Sequence, residues 1–227
     1  MNTSKKRIIL LLITITLNQC CYSQNFLNLD FESAKVSAYT PLTIIPTLKA
    51  FPDWTAYYGP ANNPTQLGNV SEVGYDDIST GGAFISVQDS SAPAPYSPIQ
   101  GNYSAFLEGS IPTAESTASL GQIGNIPGNA ESLIFWDYGS ELDVSFDGQA
   151  LSLLTISNTV NYTVYAADIS SFAGETGQLL FTAPVDEGAI LDNIQFSSSP
   201  IPEPGTFALC ALGTLSLTLC QRKRSSA

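Results

Sequence analysis

The sequence predicts an all-β protein whose central part folds as an antiparallel jelly-roll β-sandwich. Three observations predict this class. Apolar and polar residues alternate in many short runs, turn residues separate these runs, and no window of a dozen residues shows a helical apolar stripe. The two ends of the 227-residue chain differ in composition from the middle. We therefore expect three parts: residues 1–23, a single domain over 24–199, and residues 200–227.

The N-terminal part has the layout of a secretory signal peptide. Three basic residues at positions 5–7 precede an apolar run at 8–17, and a polar stretch at 18–23 follows. The apolar run is too short to span a bilayer, because a spanning helix needs about 20 residues. We predict export by the Sec machinery, cleavage after Ser23, and a mature chain that begins at Gln24.

The middle of the chain contains a series of predicted strands. Leu142–Phe146 alternates apolar and polar residues, and Asp147-Gly148 then gives the signal of a two-residue hairpin before residues 149–156. The proline-rich stretch Ser90–Pro98 predicts a surface loop rather than a domain boundary. The other predicted strands are Asn28–Ser33, Leu42–Leu48, Ala83–Gln88, Tyr103–Glu108, Ser116–Ile123, Ser132–Trp136, Tyr162–Ala167, Gln178–Thr182 and Ile190–Phe196.

The predicted domain is strongly acidic. Six of the eight basic residues lie in the two terminal parts, so residues 24–200 keep only Lys35 and Lys49 against 19 of the 20 acidic residues, a formal charge of −17. Such a surface repels phosphate backbones, so nucleic acid is not an expected partner. All four cysteines also lie in the terminal parts, so no disulfide framework holds the domain.

Cys20 and Cys21 leave lipid attachment as an alternative to signal-peptide cleavage after Ser23. The stretch Leu17-Asn18-Gln19-Cys20, however, lacks the small residue normally found before a lipidated cysteine. We therefore favour ordinary cleavage.

The C-terminal part combines a helix breaker, an apolar segment and a basic end. Pro202, Glu203 and Pro204 precede an apolar run at 206–220, and three basic residues at 222–224 follow it. This layout resembles the PEP-CTERM sorting signal of exported bacterial proteins. The resemblance implies that a membrane-embedded exosortase cuts near the motif and delivers the protein to the cell surface, outer envelope or extracellular matrix. The 206–220 helix is then a transient or retained membrane anchor.

The domain opens with Asn28-Leu29-Asp30-Phe31-Glu32 and closes with Leu191–Phe196, and Gly101–Leu107 lies between them as an inner strand. These motifs resemble those of jelly-roll domains of the galactose-binding and carbohydrate-binding-module kind. The resemblance implies that the terminal strands share a structural calcium ion, with Glu32 and Asp192 as ligands and Asp30 and Asn28 as helpers. The alternative is that these acids are solvated residues of strands and turns.

Two groups of aromatic residues are candidates for sugar contacts, because carbohydrate sites place aromatic faces against pyranose rings. The first is Trp54 with Tyr57 and Tyr58, and the second is Trp136 with Asp137 and Tyr138. Aromatic side chains are also the largest packing units of a sandwich core. We expect both tryptophans to favour the core, which leaves Tyr57 and Tyr58 as the better candidates for exposed contacts.

Catalysis has little support in the sequence, and we expect a protein that is not an enzyme. The chain has no histidine, which excludes Ser-His and Cys-His pairs and most zinc sites. A two-carboxylate glycosidase stays conceivable, because Glu131, Asp137, Glu141 and Asp143 are close in sequence. Three functions follow: a matrix protein associated with exopolysaccharide, a carbohydrate-binding module with a specific groove, and, less favoured, a glycoside hydrolase.

Overall fold

The computed structural model describes residues 25–63, 66–78 and 81–201, which form two β-sheets and two short helical turns. The helical turns are α1 (Thr47–Ala50) and a 3₁₀ turn (Ser170–Phe172). In chain order the strands are β1 (Thr43–Pro46), β2 (Thr55–Pro60), β3 (Gly68–Val70), β4 (Glu72–Tyr75), β5 (Phe84–Gln88), β6 (Ser104–Glu108), β7 (Ser116–Asn125), β8 (Ser132–Gly139), β9 (Asp143–Phe146), β10 (Gln149–Ala150), β11 (Leu153–Asn158), β12 (Thr163–Asp168), β13 (Thr176–Ala183) and β14 (Gly188–Ser197).

The strands form one eight-stranded and one six-stranded sheet, so the predicted β-sandwich class is confirmed. The eight-stranded sheet has the order β1-β4-β5-β6-β14-β8-β12-β11, and the six-stranded sheet has the order β10-β9-β13-β7-β2-β3. Among these described strands, β4 and β5 are the one parallel pair, and the other neighbours run antiparallel. β13 and β14 lie in different sheets, so the short connection between them joins the two layers.

The core lies between the two sheets and is rich in aromatic rings. Along β13, Leu179, Phe181 and Ala183 are buried while the residues between them are more exposed, as expected when successive side chains point to opposite faces. The Phe181 ring lies 5.2 Å from that of Phe135 on β8 in an edge-on arrangement. Alternation in the sequence therefore places a continuous apolar layer between the sheets.

The turn between β9 and β10 has the predicted form. Asp147 and Gly148 adopt φ angles of 47° and 78°. Two successive residues with positive φ are typical of the hairpin turn that matches the twist of antiparallel strands. The run at 149–156, predicted as one strand, divides into β10 and β11, which join different sheets.

The structure differs from the prediction at Asn28–Ser33, which forms turns and not a strand. Asn28 and Phe31 have φ angles of 50° and 58°, and the Asn28 side-chain oxygen accepts a hydrogen bond from Ser33 N at 2.9 Å. An asparagine that bonds to the backbone beyond it favours a turn over an extended strand. The segment still lies beside β14, because Ile194 N donates to Leu29 O at 2.9 Å.

A proline-rich loop, residues 89–103, covers the outer face of the eight-stranded sheet; we name it the proline loop. Three outward-facing residues beneath it, Gln88, Ser104 and Phe106, are almost fully buried. The Tyr96 ring packs edge-on against Phe106 with 5.1 Å between centroids, and Ile99 N donates to Ser104 Oγ at 3.0 Å. The predicted surface loop therefore packs on the sheet and buries polar and aromatic side chains of β5 and β6.

The predicted terminal segments fall mainly outside the described residues. The signal peptide, the Pro202-Glu203-Pro204 motif and the 206–220 helix stay predictions, because the description of the chain begins at residue 25 and ends at 201. Within the described ranges, neither helical turn is long or apolar enough to cross a membrane.

We predict that Trp54 is a structural residue. Its side chain is 3% exposed, its ring lies 5.6 Å from Phe31 and 6.3 Å from Phe181, and its Nε1 donates to Asn28 O at 2.9 Å. Trp54→Ala should lower the free energy of unfolding by about 3–5 kcal/mol in urea titrations, because it leaves a cavity and removes the shorter of two hydrogen bonds to the Asn28 carbonyl. Ile123→Ala, at a 67% exposed position, is the control and should change it by less than about 0.5 kcal/mol. Equal effects of the two substitutions would contradict the assignment.

Candidate functional site: an aromatic groove beside the proline loop

A groove of about 340 Å³ lies on the outside of the eight-stranded sheet. One wall is the proline loop, the other is the turn between β11 and β12, and Tyr138 of β8 contributes from the sheet. Its lining residues are Pro95, Ser97, Pro98, Ile99, Tyr138, Val160, Asn161 and Tyr162. The lining is thus a mixture of flat apolar surfaces, hydroxyl groups and an amide.

The aromatic part of the groove is held by a stacked pair. The rings of Trp136 and Tyr162 are parallel to within 7°, with 4.5 Å between centroids. Trp136 lies on the outward face of β8 opposite Val164 of β12, and Tyr162 immediately precedes β12. Stacking on Trp136 fixes the plane of the Tyr162 ring, which lines the groove.

The turn that carries Tyr162 is closed by one threonine. Thr159 Oγ1 accepts hydrogen bonds from Tyr162 N at 3.0 Å and Asn161 N at 3.2 Å, and it donates to Tyr162 O at 2.7 Å. Val160, at the tip of this turn, is 91% exposed. The backbone of the turn is therefore fixed while an apolar side chain projects into solvent at the groove edge.

The sequence indicated part of this site. Trp136 and Tyr138 share the outward face of β8, so the expectation that Trp136 favours the core is wrong and its alternative role as a candidate for sugar contacts remains. Asp137, between them, points to the opposite face and is 1% exposed. Tyr162 was not singled out, because its position beside Trp136 depends on the pairing of β8 with β12. The stacking tyrosine has no local signal in the sequence.

Trp54, Tyr57 and Tyr58, the predicted ligand-binding residues, do not share one surface. Trp54 is in the core, and Tyr58 is half-buried between the sheets, where burial raises its pKa and its hydroxyl bonds to the backbone of Ile85. Tyr57 lies on the outer face of the six-stranded sheet, and its hydroxyl accepts a hydrogen bond from Gln178 Nε2 at 3.0 Å. Their ligand-binding role stays a prediction, with Tyr57 as the residue that faces outward.

Glu32 and Asp192, the predicted calcium ligands, hold the end of the proline loop. Glu32 Oε1 accepts from Asn102 N and Tyr103 N at 2.6 and 3.0 Å, and its Oε2 accepts from Asn102 Nδ2 at 2.8 Å. Gly101, between these partners, has φ +63° and no room for a Cβ beside the Glu32 carboxylate. The close approach and the backbone conformation both require glycine there.

Asp192 holds the same loop from the sheet side. Its Oδ2 accepts from Gln100 N at 2.8 Å and Ser104 Oγ at 2.7 Å, and its Oδ1 accepts from Asn193 N at 2.7 Å. Burial raises the pKa of this carboxyl to about 6, and these three hydrogen bonds oppose the shift while the nearby Glu32 charge adds to it. All of its hydrogen-bond donors are neutral, so the charge of a fully buried carboxylate is not balanced by them.

The hydrogen bonds to Glu32 and Asp192 do not use all of their acceptor positions. Each carboxylate accepts three hydrogen bonds and keeps about one further acceptor position. Asp30 lies beside Glu32, because its Oδ1 accepts from Glu32 N at 3.3 Å, and its role as a further ligand stays a prediction. No group of three or more His, Cys, Asp or Glu side chains placed to hold a metal occurs among the residues that the structure describes. A calcium ion at this position would therefore take Glu32 and Asp192 as its carboxylate ligands, and the site stays a prediction.

Asp137 of β8 is a buried acid with a strongly raised pKa. It lies on the inner face of β8 between Thr163 of β12 and Leu191 of β14, and its Oδ2 has no hydrogen-bond partner in the described part of the chain. Burial raises the pKa of its carboxyl to about 8, the backbone of Leu142 opposes the shift, and the Glu141 charge adds to it. A neutral carboxyl group at this position avoids an unpaired buried charge.

Comparisons with known proteins report similarity of shape only. No known protein family matches the sequence, and no curated protein matches it either. One similar solved structure is the Stig cyclase Fisc from Fischerella sp. TAU, with 15% identity, a TM-score of 0.48, and coverage of 79% of this chain and 98% of that one. A second is TmCBM61 in complex with β-1,4-galactotriose, with 14% identity, a TM-score of 0.34, and coverage of 77% and 97%.

A third similar structure is the enzymatically active domain of tailspike protein 4 from bacteriophage CBA120. It is 14% identical, has a TM-score of 0.36, and matches 64% of this chain but 19% of its own length. These three proteins have different functions by their own descriptions. A function for this chain must therefore come from its own residues.

We predict that the protein loses stability between pH 6.5 and 8 because of Asp137. The folded pKa of about 8 lies above the unfolded value of about 3.9, so the folded state holds a proton that the unfolded state has released. The stabilisation is complete below pH ~4 and is lost as the pH rises through 8. Urea titrations should show a fall of about 1–2 kcal/mol between pH 6.5 and 8. The chain has no histidine to add a titration in this range.

Asp137→Asn should remove this pH dependence, because the amide cannot ionise. Asp168→Asn is the control: Asp168 is exposed, and hydrogen bonds from Ser170 lower the pKa of its carboxyl. That variant should retain the wild-type fall in stability. A wild-type stability that is flat from pH 6.5 to 8 would contradict the assignment.

Proposed function

We propose that the protein is an exported, non-catalytic β-sandwich that binds a neutral polysaccharide in the aromatic groove. The observation that carries the proposal is the composition of the groove lining. Tyr138 and Tyr162 supply ring surfaces, Ser97 and Asn161 supply polar groups, and Pro95, Pro98 and Ile99 supply a rigid apolar wall. Flat aromatic faces combined with a few polar groups suit a sugar ring, which is apolar on its faces and carries hydroxyl groups at its edge.

The charge of the lining favours a neutral ligand. None of the eight lining residues is an aspartate, glutamate, lysine or arginine, whereas residues 24–200 carry a formal charge of −17. The acidic surroundings repel anionic chains such as uronic-acid polymers and phosphate esters. A positively charged ligand would be attracted to the domain as a whole but would find no carboxylate in the groove.

The same lining supports a binding role over hydrolysis. A glycosidase needs two carboxyl groups that flank the bond to be cleaved, and the lining contains none. Asp137, whose pKa is raised to about 8, lies on the other face of β8 and is buried. The protein of this proposal holds a polysaccharide without changing it, in keeping with a place in an exopolysaccharide layer.

The terminal signals support export. The signal peptide directs the chain to the Sec machinery, and the resemblance of Pro202, Glu203 and Pro204 to a sorting motif favours processing by an exosortase. The proposed destination is the cell surface, outer envelope or extracellular matrix. Without a specific groove ligand, the same signals support the second candidate function, a passive matrix component.

We predict that the groove retains neutral polysaccharides. Affinity electrophoresis of the full chain through gels that contain neutral glucans, galactans or mannans should slow the wild type in at least one gel, and gels with polygalacturonate should not. Tyr162→Ala and Tyr138→Ala should each weaken binding about tenfold or more, because truncation of a central aromatic contact commonly costs above 1 kcal/mol. Tyr57→Ala, on the opposite sheet, is the matched comparison. Loss of binding in Tyr57→Ala with full binding in the other two would overturn the groove assignment.

We predict that the native protein lacks both terminal signals. The mass of the protein isolated from its natural host should correspond to a chain that begins at Gln24 and ends near Pro202–Pro204. A native mass that includes residues 206–220 would instead indicate a retained membrane anchor. A mass equal to that of the full 227 residues would contradict export through these signals.

A further inference from the structure

The beginning of the proline loop contains a second pair of acids, Asp76 and Asp89. Asp89 N donates to Asp76 Oδ1 at 2.7 Å, the Tyr75 hydroxyl donates to Asp89 Oδ2 at 2.6 Å, and Ser91 N donates to Asp89 Oδ1 at 2.6 Å. The two carboxyl groups lie within hydrogen-bonding reach of each other. This pair is separate from Glu32 and Asp192, which hold the end of the same loop.

Two oxygen atoms at this place have no hydrogen-bond partner in the described part of the chain. They are Asp76 Oδ2 and Gln88 Oε1, and their residues are 1% and 0% exposed. Buried polar atoms are nearly always paired, because an unpaired one loses its water without compensation. Two unpaired acceptors in one region therefore indicate a missing electropositive group.

The backbone brings the two oxygens to one end of neighbouring strands. β4 and β5 are parallel, with Tyr75 opposite Val87, so Asp76 and Gln88 are the next residues on each strand. Asp76 N donates to Val87 O at 2.9 Å, and Gln88 Nε2 donates to Asp77 O at 3.1 Å. Asp89 then follows Gln88 directly. The two acceptors and the Asp89 carboxylate are thus assembled by the strand ends.

The electrostatic surroundings of this place are acidic. Burial raises the pKa of Asp76 to about 6, and proximity to Asp89 adds to the shift. Burial also works to raise the pKa of Asp89, but hydrogen bonds with Tyr75, Ser91 and the Asp76 carboxyl group outweigh it and lower this pKa. The charges that act on the adjacent Tyr103 phenol are those of Asp89, Glu32 and Asp76, all anionic. The hydrogen-bond donors named here are neutral.

We propose that Asp76, Gln88 and Asp89 form a binding site for a divalent cation, distinct from the predicted site at Glu32 and Asp192. Carboxylate and amide oxygens are the ligands of hard cations, and Ca²⁺ accepts such a mixed and irregular set, whereas Mg²⁺ demands near-octahedral geometry and keeps its water. The half-buried Asp89 gives the ion access from solvent. A bound ion provides the partner for Asp76 Oδ2 and Gln88 Oε1 and fixes the first residue of the proline loop.

The experiment measures calcium binding directly, so its result does not depend on whether the groove binds polysaccharide. The full chain is stripped with EDTA and titrated with CaCl₂ by calorimetry at constant ionic strength. Asp76→Asn and Asp89→Asn should each bind one equivalent of Ca²⁺ fewer than the wild type. Asp143→Asn removes the same charge from an exposed position on β9 and should bind as many equivalents as the wild type.

Glu32→Gln separates the two sites. This variant should retain the equivalent that depends on Asp76, and it tests the predicted Glu32–Asp192 site independently. Loss of all calcium binding in Glu32→Gln alone, with wild-type binding in Asp76→Asn and Asp89→Asn, would overturn the proposal. A wild type that binds no Ca²⁺ would also overturn it and would indicate that Asp76 and Asp89 share a proton instead.

Thermal unfolding shows whether each variant is folded. In EDTA, Asp76→Asn should melt at or above the wild-type temperature, because it removes a buried negative charge and leaves Oδ1 to accept from Asp89 N. Calcium should raise the melting temperature of the wild type. The increase should be smaller in Asp76→Asn, because this variant lacks the site at Asp76. Equal calcium-dependent increases in the two proteins would contradict the site.

Discussion

The main constraint on this structure is that a strongly acidic domain with two lysines buries several carboxyl groups. Residues 24–200 contain only Lys35 and Lys49, and the buried acids Asp76, Asp137 and Asp192 obtain hydrogen bonds from backbone amides and hydroxyl groups. Neutral donors reduce the cost of burying a carboxylate but do not cancel its charge, so all three carboxyl groups have raised pKa values. A proton is a remaining counter-charge, and each of these carboxyl groups takes it up more readily than a solvated acid does.

Two of these acids connect the sheet to the groove. The proline loop is attached at its start through Asp76 and at its end through Glu32 and Asp192, and between these attachments it forms one wall of the groove. The loop has no disulfide to hold it, because all four cysteines lie in the terminal segments. Hydrogen bonds to carboxylates therefore hold the loop in place of a disulfide. These hydrogen bonds are stronger when the acids are ionised. The position of this groove wall is therefore linked to the ionisation of Asp76, Asp192 and Glu32 through these contacts.

Much of the sandwich could be predicted from the sequence, because side-chain alternation and the Asp147-Gly148 turn are local signals. The same alternation was misleading at Asn28–Ser33, where the Asn28 side chain bonds to the backbone and positive φ angles break the strand. Trp136 and Tyr138 could be proposed for the site from their types alone. The partnership of Trp136 with Tyr162 could not, because it arises only when β8 and β12 pair. The packing of the proline loop on Phe106 could not be predicted either, because the contact between Tyr96 and Phe106 joins residues that no local pattern relates.

The two walls of the groove are both attachments to the sandwich and not parts of its core. The turn at 159–162 is closed by Thr159, and the proline loop is held at its ends. None of the residues that line the groove from these two walls belongs to the layer between the sheets. Substitutions in these walls can alter what the groove accepts while the core and the overall shape stay constant. Two proteins with this sandwich can therefore superimpose closely and still select unrelated ligands. Shape alone is a poor guide to the ligand in such proteins, and the residues of the walls are the ones to compare.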